Sequence, residues 1–402
     1  MNKRKIINDP VYGFIAIPYD SVYHILEHPY FQRLRHISQL GLTYLVYPGA
    51  HHTRFHHALG AMHLLLKAVE VLKQKGIEIT EEEKEAAAIA ILLHDIGHGP
   101  FSHTLEHTII KEVSHEEISL AFMHTMGHEI EGPFDMAIQI FTGEYPKKFL
   151  NQLISSQLDV DRLDYLTRDS FYTGVSEGIV GLERIIMMLN VHEGELVIEE
   201  KGIYSIEKFI VARRLMYWQV YLHKTSIAAD RYLISSLNRA KSLISNGAEV
   251  FMSPSLLWFV QQEGKIELND EMLEQFSRLD DTDILVTVKN FRFHGDKVLN
   301  LLGTAITERK LPRITLSAEP FAESIIEEHL VKVQKRLEIT RDEAKFLVNT
   351  GFVKNEAYRD KGRGIPILMK SGRVMDIAKA SDNYSISALR EIVTKFFMIT
   401  PR

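Results

Sequence analysis

The clearest pattern of apolar and polar positions lies between residues 80 and 95. Eight apolar residues, 86–93, follow one another without interruption and end at His94 and Asp95. Thr80 and Glu83 have the spacing of a capping box, in which two side chains close the first turn of a helix. We therefore predict a buried helix that begins near Thr80 and carries His94 and Asp95 in its last turn.

Helical patterns extend on both sides of this segment. Apolar residues at helical spacing from Leu59 to Val69 predict a helix before it. Ser114 with Glu117 forms a second capping-box pattern and opens a predicted helix through Met126. Further helical patterns cover residues 134–142, 146–170, 203–243 and about 250–305.

Short alternating runs interrupt the helical pattern. Residues 189–202 contain two such runs joined by Glu193 and Gly194, which predicts a β-hairpin. Towards the C-terminus, residues 366–370 and 373–378 are strand candidates. The chain therefore includes a minor β component.

These elements predict a mainly α fold with a small β-hairpin. A boundary near residue 305 divides the chain into a helical domain, 1–305, and a smaller α+β C-terminal region, 306–402. In the larger domain, a candidate metal site lies within residues 50–170, and a candidate substrate helix covers about 203–243. Residues 44–47 are predicted to be extended.

The composition is that of an ordinary globular protein, with 45% hydrophobic and 25% charged residues among 402. A formal charge of −6 gives no global support for binding nucleic acid or an acidic membrane. The chain has no Cys, so any metal would be held by His, Asp or Glu. The N-terminus lacks the apolar core of a signal peptide, and no apolar run approaches the roughly 20 residues that cross a bilayer. We therefore expect a cytoplasmic protein without a membrane partner.

Two imidazoles and two carboxylates could form a metal site: His57, His94, Asp95 and Asp161. A carboxylate at the end of an apolar helix must be paired, protonated or bound to a metal, because burying an unpaired charge is costly. The four ligands suit a first-row divalent ion, and a water bound to it would be acidified towards hydroxide. The alternatives stay open, because Asp95 could cap a helix or form a salt bridge. The carboxylates near Asp161 could likewise form helix-surface ion pairs with neighbouring arginines.

Cationic and imidazole side chains near these positions favour a phosphorylated substrate, because such groups stabilise charge on phosphoryl oxygens. They are Arg54, His98, His103, His115, Arg162, Arg213, His223 and Lys224. A stripe formed by Arg213, Tyr217, Tyr221 and Lys224 is more often the edge of a core than a nucleotide pocket.

Six segments together resemble one protein family, the HD-domain phosphohydrolases. They are IINDPVYGF, FQRLRHISQLG, YPGAHHTRFHHALG, LLHDIGHGPFSH, DVDRLDYLTRD and VYLHK, and they stand in the family's order. More narrowly, the chain resembles the deoxynucleoside triphosphate triphosphohydrolases of the SAM-and-HD-domain type and their shorter prokaryotic relatives. The resemblance covers roughly residues 5–230 and implies a helical HD-domain core.

The resemblance implies a role for each candidate site residue. The implied metal ligands are His57, His94, Asp95 and Asp161. The implied active-site histidines are His98, His103 and His115, with Glu106 as the carboxylate partner of His103. The residues that would contact triphosphate and sugar are Arg54, Arg162, Tyr165, Arg213 and Lys224. Gln39 and Asp169 would hold the sugar 3′-hydroxyl group, and Leu40 and Tyr221 would pack against sugar and base.

The chain also departs from the family pattern. His56 replaces the Glu that usually precedes the ligand at His57, which puts metal preference and rate in question, and we expect no SAM domain in this chain. Some residues resemble parts of a regulatory nucleotide site at a subunit interface, namely Lys5, Asn8, Glu27, Gln32 and Arg35. The C-terminal third does not visibly match the region that completes such a site, so activation by a nucleotide stays open. The resemblance implies a homo-oligomer, either a dimer or a tetramer.

The expected function is metal-dependent hydrolysis of dNTPs, in which metal-bound water attacks the α-phosphorus and releases deoxynucleoside and triphosphate. The cofactor would be one divalent ion, with Mn, Fe, Mg, Zn and Ni not distinguished, and a second Mg could arrive with the nucleotide. One alternative substrate is a nucleoside monophosphate, a cyclic nucleotide or a guanosine tetraphosphate alarmone, because a fold does not determine a substrate. Another alternative is a catalytically weak, nucleotide-binding regulatory protein, which only His56 supports.

Overall fold

The apolar run at residues 86–93 forms the interior of a buried helix, Glu81–Leu93 (α4). The computed structural model describes residues 5–402 except 111, 263, 265, 356–357, 359–363, 384–388 and 390, and except the side chains of 102, 103 and 107. The predicted capping box closes α4: Thr80 Oγ1 accepts from Glu83 N at 3.1 Å, and Glu83 Oε2 accepts from Thr80 N at 2.8 Å. His94 follows α4 as its C-cap residue.

The described part of the chain is mainly helical, as predicted. Before and around α4 the helices are α1 (Asp20–Glu27), α2 (Pro29–Gln32), α3 (Arg54–Gln74), α5 (Ser102–Ile109), α6 (His115–Glu129), α7 (Phe134–Thr142), α8 (Lys148–Ile154), α9 (Val160–Thr173) and α10 (Leu182–Met187). The later helices are α11 (Ile203–Met216), α12 (Lys224–Ser245), α13 (Pro254–Gln261), α14 (Asp270–Ser277), α15 (Asp281–Phe291), α16 (Lys297–Thr307), α17 (Glu323–Leu337), α18 (Arg341–Ala344) and α19 (Ile377–Ala380). Single turns of 3-10 helix cover Arg33–His36, Gly41–Leu45, Ser176–Gly178 and Glu200–Gly202.

The strands of the described residues form three small sheets. They are β1 (Lys5–Asp9), β2 (Gly13–Ile17), β3 (Leu189–His192), β4 (Glu195–Glu199), β5 (Arg313–Ser317), β6 (Asn349–Asn355), β7 (Pro366–Leu368), β8 (Val374–Asp376) and β9 (Val393–Thr400). β1 and β2 form a hairpin, and β5, β9 and β6 form an antiparallel sheet in that order. The predicted hairpin is β3–β4, which turns at Glu193 and Gly194, both in the left-handed region.

The packing of three helices prepares a site. α4 packs against α3 and α7, and α3 also packs against α9. α3 begins at Arg54, α4 ends at Leu93, and α9 begins at Val160. The first turns of α3 and α9 lie beside the end of α4, so polar residues at these termini come from three distant parts of the sequence.

The helix predicted over residues 203–243 is two helices, α11 and α12. A π-helical turn at Tyr217–Tyr221 and the extended residue His223 separate them. His223 Nδ1 accepts from Thr225 N at 3.2 Å and thereby caps α12. A side chain that can bond its own backbone two residues on competes with continued helix, which explains the break.

Two shorter predictions also differ from the structure. The pattern over 146–170 forms α8 and α9 because Asp159 caps a new helix, accepting from Arg162 N at 2.7 Å. Residues 44–47, predicted to be extended, lie in and just after the 3-10 turn Gly41–Leu45. Gly41 begins that turn with a φ of +51°, a conformation that the apolar pattern of the segment does not reveal.

The C-terminal region pairs with the earlier part of the chain through backbone and side chains. β7 runs parallel to β4, so β7 and β8 extend the sheet begun by the β3–β4 hairpin. Arg239 of α12 pairs with Asp296 and with Glu343. The division near residue 305 stays a prediction. Across the described residues, no helix has both the length and the apolar character that a membrane span needs.

Candidate metal centre and active site

The four candidate metal ligands lie together at the meeting point of α3, α4 and α9. Asp161 Oδ1 is 3.1 Å from His57 Nε2 and 3.6 Å from His94 Nε2. Asp95 Oδ1 is 3.3 Å from His94 Nε2, and Asp95 Oδ2 is 3.7 Å from His57 Nε2. Residues separated by more than 100 positions along the chain therefore present donor atoms to one small volume.

The donor set fits a divalent cation. The Nε2 atoms of His57 and His94 are buried and make no hydrogen bond within the described structure. Together with an oxygen of Asp161, they lie within 4.8 Å of one another. Imidazole and carboxylate donors suit first-row divalent ions. Asp95 borders this group, and its Oδ2 accepts a hydrogen bond from Arg54 Nη1.

The ring of each candidate ligand histidine is held by its other nitrogen. His57 Nδ1 is 2.7 Å from Asp164 Oδ2, and His94 Nδ1 is 2.6 Å from the carbonyl oxygen of Ile91. Each of these oxygens accepts from an Nδ1–H group, which leaves an Nε2 lone pair facing the cluster. Such partners set the tautomer and orientation of metal-binding histidines.

Asp164 belongs to a buried ionic network that the sequence interpretation missed. Arg168 donates to Asp164 through Nε and Nη2, both at 3.0 Å, and to Asp9 Oδ2 through Nη1 at 2.7 Å. Asp164 and Arg168 are fully buried, whereas their i,i+4 spacing suggested a pair on the helix surface. Gly60 makes room for this network, because a Cβ there would lie 2.0 Å from Asp164 Oδ1. The sequence offered one signal for this network, which is a glycine, Gly60, inside a predicted helix one turn after His57.

The neighbouring carboxylates raise the pKa of both histidines of the cluster. Burial lowers the pKa of His57, but Asp161 and Asp164 outweigh burial and raise it to about 10. Burial also lowers the pKa of His94, and Asp95 and Asp161 outweigh it. Burial raises the pKa of Asp161, but the imidazoles of His57 and His94 beside it outweigh that effect and lower the pKa overall. The cluster therefore attracts positive charge, which a proton or a cation can supply.

A second group of polar side chains lies beside the metal cluster. The His98 and His115 rings are 4.0 Å apart between centroids, and His98 Nδ1 is 3.2 Å from the backbone oxygen of Asp95. His115 Nδ1 donates to Glu106 Oε1 at 2.6 Å. A Cβ on Gly97 would lie 2.0 Å from His115 O, so the loop after α4 can approach α6 only because this position is glycine.

The structure thus places Glu106 on His115, while the predicted contact of Glu106 with His103 stays a prediction. The side chain of His103 lies outside the described residues.

The candidate phosphate contacts are distributed around the cluster. Arg162 Nη1 donates to Asp159, and burial together with Asp161 and Tyr217 raises the pKa of Tyr165 against the effects of Arg162 and Arg213. Arg54 is buried and bonded to Asp95, as described above. Lys224 is exposed at the first residue of α12. The structure therefore brings Arg162 and Tyr165 near Asp161 and Arg213 near Tyr165, and it leaves Lys224 exposed.

The candidate sugar contacts form a separate cluster around Asp169. Tyr221 Oη donates to Asp169 Oδ2 at 2.7 Å, and His52 Nε2 is 2.7 Å from Asp169 Oδ1. Gln39 N donates to the His52 carbonyl at 3.0 Å, and Gln39 Oε1 is buried without a hydrogen-bond partner in the described structure. Leu40 is half-buried against the core. His52, which the sequence interpretation did not select, connects Gln39 and Asp169.

His56 has a local role that explains its difference from the family pattern. It is the third residue of α3, and its Nδ1 accepts from Thr53 N at 3.2 Å and lies 2.9 Å from Thr53 Oγ1. In a capping box this position is usually Glu or Gln, which accepts the same backbone N–H group. Burial, followed by the charge of Arg168, lowers the pKa of His56, so the ring stays a neutral acceptor.

The five candidate regulatory residues lie on β1, α1, α2 and the 3-10 turn Arg33–His36. Lys5 Nζ lies 2.8 Å from the centre of the Tyr23 ring, and Arg35 Nε donates to Gln32 Oε1 at 2.7 Å. Lys5, Asn8, Glu27 and Arg35 are exposed, and Gln32 is half-buried. Their assignment to a nucleotide site stays a prediction.

Asp281 is another residue that the sequence interpretation did not select. Its Oδ2 accepts from Ser38 N at 2.8 Å, and its Oδ1 accepts from Phe101 N at 2.7 Å. Phe101 is in the left-handed region, with a φ of +50°. One carboxylate at the start of α15 thus joins the loop that carries Gln39 to the loop that carries His98.

Two protein-family models match the part of the chain that forms this architecture. A model described as an HD domain matches residues 54–169, which contain all four candidate ligands, and one described as an HD associated region matches residues 180–249. The fold and the donor set are those of an HD-domain phosphohydrolase, and the chain belongs to that family of enzymes.

Particular relatives narrow the comparison. The chain is 52% identical, with a TM-score of 0.96 over 100% of both chains, to the solved structure of a phosphohydrolase, BT4208, from Bacteroides thetaiotaomicron. It is 34% identical to the uncharacterized protein YwfO of Bacillus subtilis, covering 77% of this chain and 72% of that protein. It is 30% identical to the deoxynucleoside triphosphate triphosphohydrolase SAMHD1 homolog of Dictyostelium discoideum, covering 60% of this chain and 50% of that protein. The chain therefore spans only about half of that last relative.

Proposed function

We propose that this enzyme hydrolyses dNTPs to deoxynucleoside and triphosphate. One observation carries the proposal: the candidate sugar contacts and the candidate metal ligands are joined by one face of α9. Asp161, Tyr165 and Asp169 are spaced four residues apart, so they share a helix face and rise about 6 Å per step. A deoxyribonucleotide would lie along this face with its phosphates at Asp161 and its sugar at Asp169.

The residues around that face have chemically suitable roles. A divalent ion held by His57, His94, Asp95 and Asp161 would supply Lewis-acid charge and an acidified water. Arg162, Arg213 and Lys224 would offset phosphate charge, because fixed cations stabilise charge on phosphoryl oxygens. Arg54, bonded to Asp95, would hold that carboxylate in position and add charge beside the phosphates.

The histidines next to the metal cluster would transfer protons in this reaction. Glu106 holds His115 through Nδ1, so in the imidazolium form the opposite ring nitrogen, Nε2, would carry the second proton and give it to the leaving oxygen, which leaves a neutral ring. The His98 ring lies against the His115 ring at an interplanar angle of 31° and supports it. His103 is assigned to the scissile phosphorus by the family resemblance alone.

The proposal is tested by incubating purified protein with each dNTP and Mn²⁺ or Mg²⁺ and measuring tripolyphosphate and deoxynucleoside. We expect equimolar release by wild type and at least a hundredfold slower release by a His94→Ala/Asp95→Ala variant. A His124→Ala/His128→Ala variant changes two exposed histidines of α6 and serves as the matched control. Equal release by wild type and the His94/Asp95 variant would contradict the site assignment.

The same assay separates the alternative substrates. A panel of nucleoside monophosphates, cyclic nucleotides and guanosine tetraphosphate is run beside the dNTPs. Turnover of one of these with intact dNTPs would replace the proposed substrate while keeping the metal site. Metal bound to the protein without turnover of any nucleotide would favour a regulatory role.

We further propose that the enzyme is a homo-oligomer, as the family resemblance implies. Exposed apolar residues on the β1–β2 hairpin, Ile6 and Phe14, support a contact surface next to Lys5 and Asn8. Light scattering with and without a dNTP tests both oligomerisation and its dependence on nucleotide. A monomer under all conditions would contradict the proposal.

A further inference from the structure

The loop before α3 places an imidazole directly on the candidate sugar-binding carboxylate. His52 and Asp169 are each only 1% exposed, and His52 Nε2 is 2.7 Å from Asp169 Oδ1. Because a carboxylate oxygen only accepts, Nε2 carries the proton in this contact. The other oxygen of Asp169 accepts from Tyr221 Oη at 2.7 Å.

The position of the His52 ring is otherwise set by packing. It stacks on the Tyr172 ring with 4.5 Å between centroids and an interplanar angle of 15°. Its Nδ1 is buried and has no hydrogen-bond partner within the described structure. A buried histidine that serves packing alone usually has both ring nitrogens satisfied. In this structure His52 makes one side-chain hydrogen bond, from Nε2 to Asp169, within the described residues.

The two donors leave Asp169 with a defined remaining capacity. An ionised carboxylate has about four acceptor positions, and His52 and Tyr221 occupy one on each oxygen. The positions that remain can only accept, so a ligand group that fills them must be a donor. A sugar hydroxyl supplies such a donor, whereas a sugar that lacks it leaves a buried carboxylate underbonded.

We infer that His52 is a specificity-determining positioning residue, which holds Asp169 in the orientation that accepts the 3′-hydroxyl group of the substrate sugar. The inference rests on the proposed dNTP hydrolysis. His52 acts through Asp169 and makes no contact with substrate itself. Its loss lets the carboxylate rotate, which weakens selection for the hydroxyl group without altering the metal cluster.

The test compares substrates with and without the 3′-hydroxyl group. The ratio of kcat/KM for a dNTP to kcat/KM for the matching 2′,3′-dideoxynucleotide is measured for wild type and three variants. Where dideoxynucleotide turnover is below detection, the reciprocal of its inhibition constant replaces its kcat/KM in the ratio. His52→Phe keeps the stack on Tyr172 and removes the donor, while His52→Gln retains a donor. His51→Phe is the matched control, because His51 is exposed and stacks on Tyr44 instead.

We expect His52→Phe to lower the ratio by about tenfold or more, the range for a lost hydrogen bond to a charged group. The change should come from the dNTP, with His52→Gln restoring most of the ratio and His51→Phe matching wild type. If His52→Phe slows both substrates equally, His52 has only a structural role and the inference is wrong. Absence of dNTP turnover by wild type is a different result, which removes the proposed function and this inference with it.

A measurement on the wild-type protein covers the case in which His52→Phe does not fold. Nitrogen NMR of the His52 ring should show a protonated Nε2 and an unprotonated Nδ1. A proton on Nδ1 with an unprotonated Nε2 would overturn the inference, because His52 could not then donate to Asp169.

Discussion

Replacing Gly60 with Ala tests whether the buried network behind His57 holds the metal ligand in place. Gly60 lies inside α3, where helix propensity alone predicts that Ala adds about 1 kcal/mol of stability. The structure predicts instead that Ala at this position destabilises the protein. A Cβ at this position would lie 2.0 Å from Asp164 Oδ1 and 2.2 Å from Arg168 Nη2.

The size of the stability loss depends on which side chains must move to admit the new Cβ. Asp164 is tied to Arg168 through both oxygens and to His57 at 2.7 Å, so no atom in the clash is a free end of a side chain. Breaking a buried ion pair costs about 3–5 kcal/mol, well beyond the gain in helix propensity. We therefore expect a net loss of about 2–4 kcal/mol and, for a chain of this length, a fall in Tm on the order of 3–5 °C. Metal affinity should fall by about 10–100-fold, the usual effect of disturbing a partner of a ligand.

The assay is urea unfolding followed by circular dichroism, together with Mn²⁺ titration of the folded protein. Gly295→Ala is the matched control, because a Cβ there has no atom within 4 Å and the residue has an ordinary φ. That control should be neutral or slightly stabilised. If Gly60→Ala is as stable as wild type and binds Mn²⁺ equally well, the network does not orient His57 and the reasoning fails.

Four further predictions concern other residues. Asp281→Asn should lower the free energy of unfolding in urea by about 1–3 kcal/mol, because an amide NH₂ group would face one of the two backbone N–H groups that the carboxylate accepts from. An unchanged midpoint of urea unfolding would contradict this prediction. Burial raises the pKa of Asp230 from its ordinary value of 3.8 to about 7, so the fold favours the neutral form, and the stability that this form contributes is lost as pH rises from the first value to the second. Asp230→Asn should therefore gain Tm relative to wild type between pH 5 and pH 9, and a constant difference would refute the assignment. Asp161→Asn should bind Mn²⁺ at least about tenfold more weakly, measured by metal analysis after dialysis, with retained metal as the opposing result. His56→Ala should lose about 1 kcal/mol of stability while His56→Glu keeps it, and equal loss by both variants would exclude a capping role.

Local features of the fold could be predicted because the interactions that form them are local. Thr80 with Glu83 and Ser114 with Glu117 act over three residues, and both predicted capping boxes are present. The predicted hairpin turn at Glu193 and Gly194 is likewise local. The prediction of a continuous helix near residue 220 was wrong, because the side chain of His223 accepts from the backbone N–H group of Thr225 and starts a new helix.

The candidate site was only partly predictable. The residue types and the family resemblance pointed to His57, His94, Asp95 and Asp161, and the structure brings these four side chains together. The partners that orient them were missed, because Asp164 and Arg168 have the same spacing whether they lie on a surface or in a core. The contact of Glu106 with His115, and of His52 with Asp169, joins residues whose relation is not periodic in sequence.

The amino-acid sequence by itself determined the capped starts of α4 and α6, the β3–β4 hairpin, the absence of thiolate ligands and the set of groups able to bind a metal. Each of these depends on residue identity or on neighbours within one turn. The tertiary structure decided which nitrogen of each histidine faces the cluster, which carboxylates are buried, and which donors surround Asp169. Those outcomes depend on how α3, α4 and α9 pack, because hydrogen bonding and burial act across space between residues far apart along the chain.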